Sequence, residues 1–214
     1  MINLVETGQC FRAPEKDWYT KTDWNAVRAE LLRFTELRDP IAHAPGMQIL
    51  RQPFVECVVS FILSANNNIK RFSKTLAQMQ FDLDWLCGRT EDDFRAMGCG
   101  YRAPYLVSAC KRLCGMDYAE LCKLDDAALY KELRTVKGVG DKVARCLQLF
   151  CFHRLNVVPV DTWIEKAYRQ LTGDEAKRSV RYIADWYQNR YGQYAGVAQQ
   201  YLFYYLQYLK KELT

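Results

Sequence analysis

Two charged residues stand where a protein core has no use for them. Lys142 follows the Gly138-Val139-Gly140 turn by two positions, and Asp161 closes the corner Val157-Val158-Pro159-Val160. Both border apolar ground, where burying a charge is costly unless it is paired. A lysine in the first turn of a helix lies near the positive end of the helix dipole, and Arg145 follows three residues later. Both influences favour the neutral amine and lower the pKa from its usual value of about 10.4. A neutral amine is a nucleophile able to form a Schiff base. A carboxylate beside it would stabilise a developing cation or help remove a proton. Each residue also has a plainer reading: a solvated surface lysine, and an aspartate that caps the helix beginning Thr-Trp-Ile-Glu. The pairing of the two across a returning segment is what favours catalysis.

Gly138 and Gly140 allow the backbone positive φ and close approach to a bulky partner. A helix N-terminus beside such a turn exposes amides suited to an anion such as a DNA phosphate. An ordinary turn between two helices is the alternative. Lys137 and Lys142 flank the turn, with Lys131, Arg134 and Arg145 nearby, and these favour phosphate.

The elements that must position these residues are helical. Residues 1–22 lack periodicity and read as an ordered arm or loop. From Asp23 onward the apolar spacing predicts helices over Trp24–Phe34, Phe54–Ser64 behind Pro53, Ile69–Met79, Glu91–Met97 and Tyr101–Cys114. It continues over Asp125–Val136, Asp141–His153, Asp161–Leu171, Asp174–Tyr191 and Tyr194–Leu213. Asp23, Asp125, Asp161 and Asp174 fit N-caps. The expectation is an all-α protein of about ten helices, without internal repeats or low-complexity tracts.

A chain of 214 residues, half of them apolar, can bury a core and is not a disordered tail. A net charge of +5 permits an anionic partner without demanding one. Nine cysteines, an odd number without a secretory leader, point to a reduced intracellular protein rather than a disulfide framework. Cys110, Cys114 and Cys122 have partly metal-like spacing, but too few ligands accompany them for zinc or an iron–sulfur cluster. No window holds the roughly 18 unbroken apolar residues of a membrane span. The aromatic tail YLFYYLQYL comes nearest and is interrupted by Gln207 and ended by Lys210 and Lys211.

GVGDKVARC followed by PVDTW resembles the helix-hairpin-helix DNA glycosylases, and the lysine variant is similar to their bifunctional 8-oxoguanine branch. RQPFVECVVSFILSANNNIKR (51–71) is similar to that branch's asparagine-rich segment, GYRAPYL (100–106) to its wedge loop, YAGVAQQYLF (194–203) to its pocket helix, and GQCFR (8–12) to the start of its N-terminal region. The resemblance implies an all-α helix-hairpin-helix fold in two lobes with the active site between them. An arm over 1–22 would carry GQCFR, and 23–214 would form the glycosylase domain.

The roles that follow are implied by the resemblance. Lys142 is the nucleophile at C1′, and Asp161 stabilises the sugar cation and orients the lysine. Gly138, Val139 and Gly140, with Lys137, hold DNA phosphate. Tyr101 is the wedge that fills the gap left by a flipped base, and Asn66, Arg71 and Arg102 read the estranged cytosine. Gln199 and Phe203, four residues apart and so on one helical face, read the purine edge and stack on the base. The Gly8 carbonyl accepts the hydrogen on N7 of 8-oxoguanine, which guanine lacks. Without the resemblance, Asn66–Asn68 would read as a turn and Gly-Tyr-Arg as a loop with a snorkelling arginine.

The implied activity is a DNA glycosylase with β-lyase chemistry on 8-oxoguanine opposite cytosine. It needs no cofactor or catalytic metal. Its partner is double-stranded DNA carrying an oxidised purine, bound by a monomer away from membranes, in a bacterial cytoplasm (nucleoid) or a eukaryotic nucleus. Alternatives are a glycosylase of the same fold for alkylated or other purines, and a non-catalytic DNA-binding module.

The chain departs from the family pattern in four places. Only about a dozen residues separate Arg12 from Trp24, where the family usually inserts a sheet lobe, so the lobe is expected to be absent and the seating of Gly8 is open. Lys137 replaces a usual proline, Arg145 stands where an acidic residue is common, and Trp163 occupies the place of a phosphate-contacting histidine.

Overall fold

The computed structural model describes residues 7–65, 67 and 69–212. Contacts divide the chain into two compact units, one formed by the N-terminal segment to Arg51 with His153 onward, the other by Gln52–Phe152. The first begins with α1 (Trp24–Leu31) and α2 (Arg38–His43). The second holds α3 (Phe54–Ser64), α4 (Ile69–Leu76), α5 (Leu83–Cys87), α6 (Glu91–Ala96), α7 (Ala103–Leu113), α8 (Tyr118–Lys123), α9 (Asp126–Leu133) and α10 (Asp141–Phe150). The chain then returns to the first unit for α11 (Thr162–Thr172), α12 (Val180–Tyr191) and α13 (Ala195–Glu212).

The described residues contain no β-strand, and between Arg12 and Trp24 the chain makes only a three-residue 3-10 turn, Lys16–Trp18. The all-α expectation therefore holds, and the sheet lobe is absent from that interval.

In the second unit α3 is buried almost all round, from Glu56 to Leu63, as its apolar sequence FVECVVSFILS requires. It packs against α4, α7 and α10. Phe61 of α3 lies parallel to Phe150 of α10, ring centroids 5.9 Å apart. α10 buries Val143, Ala144 and the run Cys146–Phe150 while Lys142 stays exposed. In the first unit α13 buries Ala195–Leu202 and packs against α2, α11 and α12.

Caps explain most boundaries. The Asp23, Asp125 and Asp161 carboxylates accept the first-turn amides of α1, α9 and α11. Gly173 ends α11 at φ 70°. That is the left-handed conformation that suits a helix C-terminus. Thr90 and Asp93 bracket α6 in a capping box.

Two expectations need correction. The described residues form thirteen α-helices rather than about ten, because α2, α5 and α8 have five or six residues, too few turns for a periodic signal. α12 starts at Val180 under a Ser179 cap, not at Asp174. Asp174 instead anchors a turn, accepting bonds from Arg178 Nε (2.7 Å), the Tyr168 hydroxyl (2.7 Å) and the Ala176 amide (3.0 Å). These bonds hold its carboxyl down at about 2. Cys87 and Cys114 stand sulfur to sulfur, and a single such pair makes no disulfide framework. Among the described residues no group of three or more His, Cys, Asp or Glu is arranged to hold a metal, and no helix is long and apolar enough to cross a membrane.

Candidate active site

The Gly138 turn is built by its neighbours in the second unit. Gly138 has φ 92°, and its ideal Cβ would touch Ile62 of α3 and Tyr105 of α7 at 3.4 Å. A side chain there would strain the backbone. Val136 and Val139 are buried on either side of it. This anchors the turn to two helices and leaves Lys137, Gly138 and Gly140 exposed. Gly140, in extended conformation, is the N-cap of α10 and offers no capping side chain.

Lys142 is the second residue of α10, and its Nζ lies 5.5 Å from the Phe61 ring centroid. Asp141 accepts a hydrogen bond from the Tyr130 hydroxyl at 2.7 Å and pairs with Arg145 at 3.4 Å. That bond to Asp141 pushes the Tyr130 hydroxyl pKa up. Arg145 also lies over the Tyr130 ring, 5.5 Å from its centroid. Arg145 is therefore engaged with Asp141 and Tyr130, so the charge that the sequence set against Lys142 is balanced locally. Lys137 Nζ is 5.8 Å from the Tyr105 ring centroid.

Tyr101 and Arg102 take opposite courses. Tyr101 is 55% exposed, whereas Arg102 is only 7% exposed. Arg102 Nε donates to the Ala65 carbonyl at 3.0 Å, Nη2 reaches the same oxygen, and the guanidinium carbon lies 4.2 Å from the Tyr101 ring centroid. Arg102 thus ties the Gly100–Arg102 turn to the end of α3 within this unit. Arg71 is exposed on α4. Asn66 lies outside the described residues.

The first unit carries Asp161, Gly8, Gln199 and Phe203. Asp161 Oδ1 accepts from the amides of Trp163 and Ile164, both at 3.0 Å, so the cap occupies one carboxylate oxygen. The corner before it, Val157–Val160, is buried. Tyr187 nearby has its hydroxyl pKa pushed up by burial, with charges on Tyr191 and Asp161 adding to the effect. Trp163 lies under Lys210, whose Nζ is 5.5 Å from the ring centroid.

Gly8 has φ 75°, and an ideal Cβ there would come within 3.0 Å of Phe203 Cε1. The absence of a side chain at Gly8 is thus what lets the backbone meet the Phe203 ring. Gln199 is 4% exposed, and its buried Oε1 has no hydrogen-bond partner among the described residues. A buried amide oxygen without a partner is costly, so a donor brought to it would be bound favourably. Gly8, far in sequence from Gln199 and Phe203, belongs to the same unit as both.

Sequence reasoning missed three contributors. Gln9 is fully buried, donating to the Gln48 carbonyl at 2.8 Å and accepting from the Leu50 amide at 3.0 Å. Gln200 donates to the Thr7 carbonyl. Tyr105 backs both Gly138 and Lys137. Only the doubled Gln199-Gln200, placed in an apolar helix, carried any hint of the second of these.

No family model matches the chain. Individual proteins do. The N-glycosylase/DNA lyase OGG1 of Arabidopsis thaliana is 33% identical over 84% of this chain and 56% of its own length. The chain spans about half the length of the curated relatives it matches. The structure of the Clostridium acetobutylicum 8-oxoguanine glycosylase/lyase in its apo-form matches at 32% identity and TM-score 0.80, covering 89% of this chain and 73% of that one. The same protein in complex with double-stranded DNA containing cytosine opposite 8-oxoG matches at TM-score 0.87 and 26% identity, covering 97% of this chain and 92% of that one.

Proposed function

The chain belongs to the 8-oxoguanine glycosylase/lyase family, and from that premise we propose that it excises 8-oxoguanine opposite cytosine from double-stranded DNA and then nicks the strand. Lys142 carries this reading: it is an exposed amine in the first turn of α10, behind a glycine hairpin whose backbone conformation only glycine adopts without strain.

Lys142 Nζ attacks C1′ as the glycosidic bond breaks and the bonding pair leaves with the base. Asp161 stabilises the positive charge that develops on the sugar and helps orient or deprotonate the lysine. Once the amine has lost its protons and the sugar ring has opened, C1′ and Nζ share a Schiff base. Loss of a C2′ proton then expels the 3′ phosphate. The amides around Gly138–Gly140, with Lys137, hold the DNA backbone. Tyr101 fills the place of the extruded nucleotide, as its exposure permits. A panel of duplexes, each with one lesion opposite each of the four bases, tests the assignment. Strand scission should be fastest for 8-oxoguanine opposite cytosine, and faster excision of alkylated purines would transfer the chain to that specificity.

Asn66, Arg71 and Arg102 read the orphaned cytosine in this account. Replacing either arginine by Ala should cost about 1–3 kcal/mol in excision, selectively for cytosine-paired substrate. The two variants should differ in stability. Arg102→Ala removes a buried donor from the Ala65 carbonyl. It should lose roughly 1–3 kcal/mol of folding stability, while Arg71→Ala on an exposed face should change it little. Excision rates opposite all four bases, with melting temperatures alongside, separate these effects; equal losses opposite every base would make Arg71 a phosphate contact and Arg102 a structural tie.

Phe203 and Gln199 form the lesion pocket. Phe203→Ala should weaken excision by about 1–3 kcal/mol through lost stacking. Gln199→Ala should loosen lesion choice, because it removes the buried oxygen that a purine edge would satisfy. Single-turnover rates per folded molecule are the measure. Normal rates in both variants, with only thermal stability lowered, would place the pocket elsewhere.

A further inference from the structure

We infer that Gln200 is a positioning residue for the carbonyl of Gly8, supplying the support that the missing sheet lobe would otherwise be expected to give; this rests on the proposed excision of 8-oxoguanine and on the lesion-reading role that the resemblance implies for Gly8. Gly8 sits between two residues whose neighbourhoods are fixed by buried amides. On one side, Gln200, 2% exposed in α13, donates to the carbonyl of Thr7, itself fully buried. On the other, the Gln9 side chain bonds to the main chain at Gln48 and Leu50. The Gly8 backbone lies against the Phe203 ring, three residues along α13 from Gln200. One helix thus supplies the ring that stacks on the base and the amide that holds the peptide chain beside it.

The chemistry makes such support necessary. A single carbonyl that distinguishes N7–H from a bare N7 acts through one hydrogen bond, whose strength falls steeply as distance and angle drift. A binding group held only loosely loses its selectivity before it loses its presence. Gly8 has a positive φ and no side chain of its own to lock it, so the bonds flanking it must set the direction of its carbonyl. Gln200 does not touch the base in this account and acts through the Thr7–Gly8 segment.

The test compares two activities of the same full chain. Gln200→Met keeps the side-chain length and removes the donor. It should slow excision of 8-oxoguanine at least tenfold, while cleavage at a preformed abasic site, which offers no base to read, stays within twofold of wild type. Should the methionine variant fail to fold, Gln200→Ala gives the same comparison, since alanine suits a helix and leaves space rather than a clash. Equal losses in both activities would reduce Gln200 to a packing residue and overturn the inference, as would unchanged excision of 8-oxoguanine. If wild type cleaves abasic sites but removes a different lesion in preference to 8-oxoguanine, it is the functional reading that fails, and the clamp has no carbonyl readout to serve.

Discussion

Borohydride added during the reaction should leave the wild-type chain covalently joined to DNA containing 8-oxoguanine, and Lys142→Gln should leave no adduct at all. The reductant converts the imine between Nζ and C1′ to a stable amine, so the adduct reports that bond directly. Glutamine keeps much of the length of the side chain but has no nucleophilic amine. Binding should survive the change, because the backbone turn at Gly138–Gly140 and Lys137 do not depend on Lys142. Folding should survive too, since Lys142 is exposed and the buried face of α10 begins at Val143. Gel retardation with lesion DNA alongside trapping reads both. An adduct that persists in Lys142→Gln would assign the chemistry to another amine, and the reading of GVGDK as the active-site turn would fall.

Asp161→Asn should fold with near wild-type stability and lose about 10²–10³ in the rate of base excision. The structural role of Asp161 uses Oδ1, which accepts the Trp163 and Ile164 amides at 3.0 Å. Asparagine supplies the same oxygen and caps a helix about as well. What it lacks is the negative charge that opposes the developing sugar cation. The two variants should therefore fail differently: Lys142→Gln forms no covalent intermediate, and Asp161→Asn forms it slowly. Single-turnover excision with melting curves for both decides the matter. A large loss of stability in Asp161→Asn, with activity per folded molecule unchanged, would return Asp161 to the role of a cap alone.

Much of the framework was legible because it is written in local chemistry. α3 is legible at its observed ends because Pro53 precedes it and its residues are mostly apolar, interrupted by Glu56 and Ser60 before Ser64 ends it. The α9–α10 hairpin was legible from the Asp125 cap and the two glycines, whose effects reach only a few residues. Short helices such as α5 escaped because five residues give no period to detect. Asp174 was misjudged because its strongest partners, Arg178 and Tyr168, compete with a helix start, and sequence spacing cannot rank a turn against a cap.

The candidates for chemistry were offered by the sequence alone: a lysine behind a glycine turn and an aspartate at an apolar corner by their types and spacing, a glutamine and a phenylalanine on one helical face by resemblance. Residue types and near-neighbour spacing carry that much whatever the rest of the chain does. Which side chains turn inward was decided only by the tertiary structure. Arg102 and Tyr101 are adjacent and both suited to DNA, yet Arg102 is buried against the Ala65 carbonyl while Tyr101 is exposed. Gln199 and Gln200 are adjacent amides, yet Gln200 reaches Thr7, 193 positions away, and Gln199 keeps a buried oxygen without a partner among the described residues. Neighbours on a helix point about 100° apart, so each meets a different part of the core. A hydrogen bond across that separation depends on how helices pack, through many small contacts that no local pattern records.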